Sequence, residues 1–287
     1  MQMRTAVLLL PILLAAELPP AFARPGDDLE NSLRSDYANK VVTLRHAYEG
    51  KHLAFHSDGS LIGYGSAGSW TVDSQILVKQ IKRRGNRLRL EGRRVCLVFD
   101  DKGKPYRDVL DWLAESKGKD RDKPADFFRH NDVDVEIELP SDAPDEQEVA
   151  DAMKAVFLPL GGSVGEVVPD YWRAYFDRIE GRPHNEDPSI VTIKGMKQGI
   201  APPRATYQPN PEFSEEARHA KYQGTMVLSV VVDPTGRARD VEIINPLGMG
   251  LDEKAVAKVS TWEFKPATKD GEPVPVRVAV EVSFRLY

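Results

Sequence analysis

Three histidines, His46, His52 and His56, fall within eleven residues of one another, the last two four apart. On a helix that spacing could hold zinc. Here the run His-Leu-Ala-Phe-His lacks the glutamate of a metalloprotease motif and has strand-like composition, so ordinary surface or core histidines are expected. Asp100 and Asp101 follow an apolar run over 95–99, like a carboxylate pair at a strand end. With no nucleophile, phosphate loop or spaced histidine nearby, a turn explains them better. Ser163 lies between Gly161 and Gly165, but a nucleophile elbow needs a strand before the serine, and the pattern places a helix there. Cys96 is the single cysteine, so no internal disulfide can form. Inside the apolar run it reads as a small buried hydrophobe. These residues predict no catalytic site, no metal and no cofactor: a binding protein rather than an enzyme.

Lys and Arg fill eight of the sixteen positions 79–94. The plain reading is the exposed face of a β-meander; the sharper one is a site for anionic envelope polymers such as lipopolysaccharide or peptidoglycan. The net charge of −5 argues against a nucleic-acid partner.

Residues 1–23 read as a secretory leader: Arg4 gives the positive start, an apolar run follows, and Ala21-Phe22-Ala23 supplies the small-x-small cleavage signature. Glu17, Pro19 and Pro20 cut that run below the roughly 20 residues a bilayer span needs. The expected location is the periplasm, with cleavage after Ala23. The alternative is an uncleaved anchor in the inner membrane facing the periplasm.

The remaining length suits two modest domains, 24–190 and 191–287. The first reads as β-rich with one or two helices. Residues 24–36 are polar and predict a flexible stretch. Short extended segments with close turn signals follow at 41–45, 53–56, 61–64, 70–72, 76–81, 87–90 and 95–99, favouring an antiparallel meander or small barrel. Alternation over 133–139 marks a further strand. Val149, Met153, Val156 and Phe157 have helical spacing, with Ser141 or Asp142 as the start. Tyr171, Trp172, Tyr175, Phe176 and Ile179 share one face of a second helix and read as core.

The last domain reads as helix, strand, strand, helix, strand. Ser214 is a good N-cap, residues 225–232 alternate, Asp233-Pro234-Thr235-Gly236 turns the chain, and 237–244 returns. Asp252 can cap a second helix, and Pro266 stops it. From Val274 to Leu286 every second residue is apolar, the pattern of one half-buried strand. At about 3.3 Å per residue such a strand spans about 40 Å, more than a small sheet pairs. A row of open backbone donors and acceptors is the expected remainder, suited to gripping another extended chain.

The order of these words resembles the C-terminal domain of the TonB family. The residues that carry it are Tyr207, Pro209 and Pro211; Ser214-Glu215-Glu216-Ala217-Arg218; the run from Gly224 to Gly236; Gly248-Met249-Gly250-Leu251-Asp252; Trp262-Glu263-Phe264-Lys265-Pro266-Ala267; and Asp270-Gly271-Glu272-Pro273-Val274-Pro275-Val276. They cover residues 195–287.

The resemblance implies an α+β fold: a three-stranded antiparallel sheet backed by two helices, after the β-rich domain. It implies an exported envelope protein that binds the TonB-box peptide of a TonB-dependent outer-membrane receptor, added as a strand beside the last strand. The residues so implied are Tyr207, Pro209, Val276, Arg277, Val278, Ala279, Val280, Glu281, Val282, Ser283 and Arg285. The leader has no histidine and no proline-rich spacer follows it. An inner-membrane proton-channel complex is therefore an expected partner only if the leader stays uncleaved. Two other readings stay open: a structural protein that homodimerises through the terminal strand, and an enzyme or ligand-binding activity within 40–190.

Overall fold

The computed structural model describes residues 25–100, 102–103, 107–115, 122–184, 187–192 and 199–286. The expected leader and its cleavage site lie outside the described residues. Among the described residues no helix is long and apolar enough to cross a membrane.

The first part of the chain runs α1 (Pro25–Tyr37), β1 (Val41–Leu44), β2 (His52–His56), α2 (Trp70–Asp73), β3 (Gln75–Arg84), β4 (Arg87–Arg94), β5 (Leu97–Val98), β6 (Arg107–Asp108), α3 (Val109–Glu115), α4 (Asp122–Arg129), β7 (Asp132–Glu138), α5 (Glu146–Val156), β8 (Phe157–Leu158) and α6 (Asp170–Ile179). The second part continues with β9 (Val191–Thr192), β10 (Ile200–Ala201), β11 (Arg204–Tyr207), α7 (Glu215–Ala220), β12 (Gly224–Val232), β13 (Ala238–Asn245), α8 (Leu251–Val259), β14 (Glu263–Lys265), β15 (Ala267–Lys269), β16 (Glu272–Val274) and β17 (Val276–Phe284).

The class is α+β, with several corrections in detail. The first part holds more than two helices. Where polar composition predicts a flexible stretch, α1 forms, because Leu29 and Leu33 stack one turn apart and are buried together. Residues 70–72 are one helical turn rather than a strand, with Trp70, Thr71 and Val72 all buried. The first sheet is mixed, not a meander or barrel: its order is β2-β7-β4-β3-β1-β8, and β2 lies parallel to β7. The helix α5 starts after Asp145, whose carboxylate accepts from the Glu148 N–H while Glu148 reaches back to the Asp145 N–H. That reciprocal pair caps the helix better than Ser141 or Asp142 could.

One face of this sheet buries Val42, Ile76, Val78, Leu88, Leu90 and Val135 against apolar residues of α1 and α5. A larger core does not respect residue 190. It joins Trp70, the run 95–99, Phe128, Trp172, Tyr175 and Phe176 to Met226, Leu228, Ile243, Leu251 and Phe284 of the second part. The expected aromatic stripe of α6 supplies its centre: Trp172 lies 5.3 Å from Trp70 and 5.4 Å from Phe99, ring centre to ring centre.

The second part is built on a sheet of order β13-β12-β17-β9. Its first three strands are the expected antiparallel set; the fourth, β9, adds in parallel beside the start of β17. Ser214 caps α7, its hydroxyl accepting from the Ala217 N–H at 3.1 Å. Asp252 does not cap α8. Gly250 holds that position at φ 76°, and the buried Asp252 carboxylate instead accepts from Leu247 and Gly248 N–H groups at 2.9 and 2.5 Å. The terminal strand is also shorter than its alternation suggests. Pro275 has no N–H to give a ladder, and the run divides there into β16 and β17.

Candidate functional site

Along β17 the even-numbered side chains face inward and the odd-numbered ones outward: Val276, Val282 and Phe284 are buried, while Ala279, Glu281, Ser283 and Arg285 are exposed. On one edge β17 pairs with β12 through nine consecutive rungs, from Gly224 opposite Phe284 to Val232 opposite Val276. On the other edge β9 reaches only Val276 and Arg277.

Backbone parity fixes which groups face the open side. The Val191 N–H of β9 donates to the Pro275 carbonyl at 3.3 Å. The Leu286 N–H, of opposite parity, donates to the Gln223 side chain next to β12 at 2.8 Å. Groups alternate along a strand, so even-numbered residues direct N–H and C=O at β12, and odd-numbered residues direct theirs outward. Thr225 and Ser283, an odd-numbered rung, then form a non-hydrogen-bonded pair whose side chains sit close, and their hydroxyls meet at 2.9 Å. Ala279, Glu281 and Ser283 therefore each present one N–H and one C=O on an edge that no strand covers among the described residues.

Beside this edge, Val278 and Val280 are partly buried against the large core. Glu281 and Arg285 are exposed, with no ion pair among the described residues. Arg277 is different. Its side chain is 11% exposed and its Nη1 donates to Glu242 at 2.8 Å and Ser229 at 2.9 Å. Glu242 also meets His184 at 3.0 Å, and His184 meets Asp177 at 3.3 Å. This row of polar contacts ties the end of α6 to the sheet beside β9. Tyr207 and Pro209 lie elsewhere: β11 pairs with β14, Tyr207 is 55% exposed, and the Pro209 carbonyl accepts from the Trp262 indole N–H at 3.0 Å. Sequence reading missed β9 and the His184 row. Two strand residues and one histidine in a turn-rich stretch carry no period to detect.

The other candidates resolve into structure. Among the described residues no group of three or more His, Cys, Asp or Glu is placed to hold a metal. His52 and His56 stand opposite Asp134 and Glu138 at 3.1 and 3.3 Å. Cys96 is fully buried, and burial pushes its thiol well above the usual range. The Asp100 carboxylate accepts from the Lys102 N–H in a turn; Asp101 lies outside the described residues. Ser163 donates to Glu180 at 2.5 Å.

The basic cluster is largely neutralised. Lys79, Arg89 and Arg87 pair with Asp132, Asp134 and Glu136 of β7 at 2.9, 2.9 and 3.1 Å. Arg93 pairs with Asp108 at 2.5 Å, and Arg94 is buried beside Asp73, donating to the Tyr48 and Gly50 carbonyls as well. Lys82, Arg83 and Arg84 are left, too few for the anionic-polymer site that the sequence run suggests.

A helix-backed antiparallel sheet whose last strand keeps an unfilled edge defines a class of small α+β module. Residues 209–286 match the family model for the Gram-negative bacterial TonB protein C-terminal, and this segment of the chain belongs to that domain family. Protein TonB of Vibrio cholerae serotype O1 is 27% identical over 111 residues, which cover 36% of this chain and 45% of that protein. The solution NMR structure of the Pseudomonas aeruginosa TonB CTD aligns with 34% of this chain and 94% of its own, at 14% identity and a TM-score of 0.26. The match thus spans less than half of the curated relative.

Proposed function

We propose that this chain is an envelope protein of the periplasm that captures an extended peptide, the TonB box of an outer-membrane receptor, by strand addition to the outer edge of β17, in support of TonB-dependent transport. The observation that carries this reading is the set of outward N–H and C=O groups on Ala279, Glu281 and Ser283, beside a fully paired β12. Family membership of 209–286 supports it independently.

Those three residues offer six backbone groups. At roughly 1 kcal/mol net each they contribute about 6 kcal/mol, part of which ordering the peptide consumes. Micromolar affinity needs about 8 kcal/mol, so side chains supply the difference. Val278 and Val280 offer apolar contact, and Glu281 and Arg285 offer charge. Because β9 already fills the rungs at Val276 and Arg277, the docking stretch is 278–285, and Arg277, Tyr207 and Pro209 act indirectly.

The experiment is titration of the full chain with a synthetic TonB-box peptide, followed by backbone amide chemical shifts. Shifts at residues 279, 281 and 283, with new protection from hydrogen exchange there, are expected. No binding, together with a dimer that dissociates when the last ten residues are removed, assigns the same edge to a second copy of the chain instead.

A further inference from the structure

The first sheet has two faces, and only one is sealed by helices. On the other, two cross-strand rows form a floor. Val41, Leu77 and Arg93 make one row; Leu158, Thr43 and Gln75 make the next. The chain around Leu160 and the start of α3 roof this floor incompletely and leave a cleft of about 620 Å³. That size lies in the range of small-molecule sites, about 300–1,000 Å³.

The polar groups on the floor are unusual. Gln75 is 3% exposed, lines the cleft, and its carboxamide has no hydrogen-bond partner among the described residues. Thr43, 8% exposed and directly opposite on β1, lines the same space. The Gln75 carboxamide is not a fully buried polar group left without a partner: it reaches the cleft and can exchange solvent for a ligand's polar group. Around these two groups the walls are aliphatic: Val95, Leu97, Leu110 and Val164. At the rim Val41 and Leu160 are 41% and 42% exposed.

The charges nearby discriminate between ligands. Arg93 donates to Asp108 at 2.5 Å, and Asp108 also accepts from the Leu110 N–H at 3.2 Å. The guanidinium is thereby neutralised, and Asp111 adds an exposed carboxylate at the cleft. The formal sum of Arg93, Asp108 and Asp111 is negative, which disfavours an anionic head group.

The geometry points to a binding site for a neutral amphiphile with an aliphatic body and an amide head. The head pairs with the Gln75 carboxamide, which offers both a donor and an acceptor, and with the Thr43 hydroxyl. This site is separate from the β17 edge and does not depend on the function proposed for it.

The test is calorimetric titration of the full chain with decanamide and, in parallel, decanoate. Decanamide is expected to bind and decanoate to bind at least about tenfold more weakly, because its charge meets Asp108 and Asp111. Gln75→Leu, which removes the amide from the cleft floor, is expected to leave the fold intact by circular dichroism and to weaken decanamide about tenfold. Val41→Trp, at the exposed rim, is expected to block binding with the fold intact by circular dichroism. Absence of decanamide binding to the parent chain, equal binding of the two probes, or unchanged decanamide affinity in the folded Gln75→Leu chain would each overturn the assignment.

Discussion

Glu253 on α8 accepts two hydrogen bonds from Thr71 on α2, from its N–H and its hydroxyl, both at 3.0 Å and across 182 positions of sequence. The same hydroxyl accepts from the Gly250 N–H at 2.8 Å, and the Trp172 indole donates to Glu253 at 3.4 Å. One carboxylate thus fastens α2 and α6 to the start of α8.

Replacing Glu253 with Ala leaves two of those donors inside without an acceptor and the Thr71 hydroxyl short of one. A loss of about 3 kcal/mol in unfolding free energy is expected by urea denaturation. Glu253→Gln keeps a carbonyl acceptor and is expected to lose about 1 kcal/mol or less, since burial already raises the Glu253 carboxyl. Equal losses in the two variants would mean that the charge, not the acceptor, does the fastening.

Asp73 sits beside Arg94 with its side chain 13% exposed, and burial outweighs that neighbour, raising its carboxyl from 3.8 to about 6. The folded state therefore holds this proton more tightly than the unfolded chain. Its contribution to stability is full below about pH 4, falls as pH rises towards about 6, and changes no further above that. The loss is on the order of 3 kcal/mol. Burial raises Glu216, Asp252 and Glu253 in the same direction. Asp73→Asn should flatten the fall between pH 4 and 6 without abolishing it, as followed by thermal melts across that range.

The parity of β17 makes a paired prediction about proline. Val280 directs its N–H at β12, so Val280→Pro removes a ladder bond and should cost about 3 kcal/mol or more. Glu281 directs its N–H outward on an open edge, where proline is tolerated, so Glu281→Pro should cost about 1 kcal/mol and abolish peptide capture. Chemical denaturation and peptide titration on both variants check this. Reversed costs would invert the edge assignment.

Arg277→Ala removes the cation that bridges Glu242 and Ser229, leaving a partly buried carboxylate with His184 alone. Loss of one partner from such a pair costs about 3 kcal/mol. Because the row holds the chain next to β9, amides near Val191 should also exchange faster than the global loss explains. Hydrogen exchange read by mass spectrometry separates the two effects.

Much of the second part was legible because its signals are local. Alternation over 225–232 and 276–284, the Asp233–Gly236 turn and the Ser214 cap are each set by neighbours in sequence. The open edge did not follow from the alternation: the length of the run predicts residues left over by the sheet, whereas all nine residues of β17 pair with β12 and the free side is the one β9 covers only at Val276 and Arg277. What stayed hidden depends on distant residues. Leu29 and Leu33 make a helix only because a sheet face waits for them, and β9 exists only through its contact with Val276 and Arg277. The neutralisation of the basic run over 79–94 was hidden for the complementary reason: the acids facing Lys79, Arg87 and Arg89 come from β7, some fifty residues on, as with the 53 positions between Lys79 and Asp132. The cleft around Gln75 could not be seen at all, since it is made by strands and loops distant in sequence.

The shared core carries a practical corollary for anyone dissecting the molecule. Scission near residue 190 would not release a self-sufficient module. It would split the buried cluster that holds Trp172, Tyr175 and Phe176 together with Met226, Leu228 and Ile243, and leave both fragments with greasy, aggregation-prone flanks.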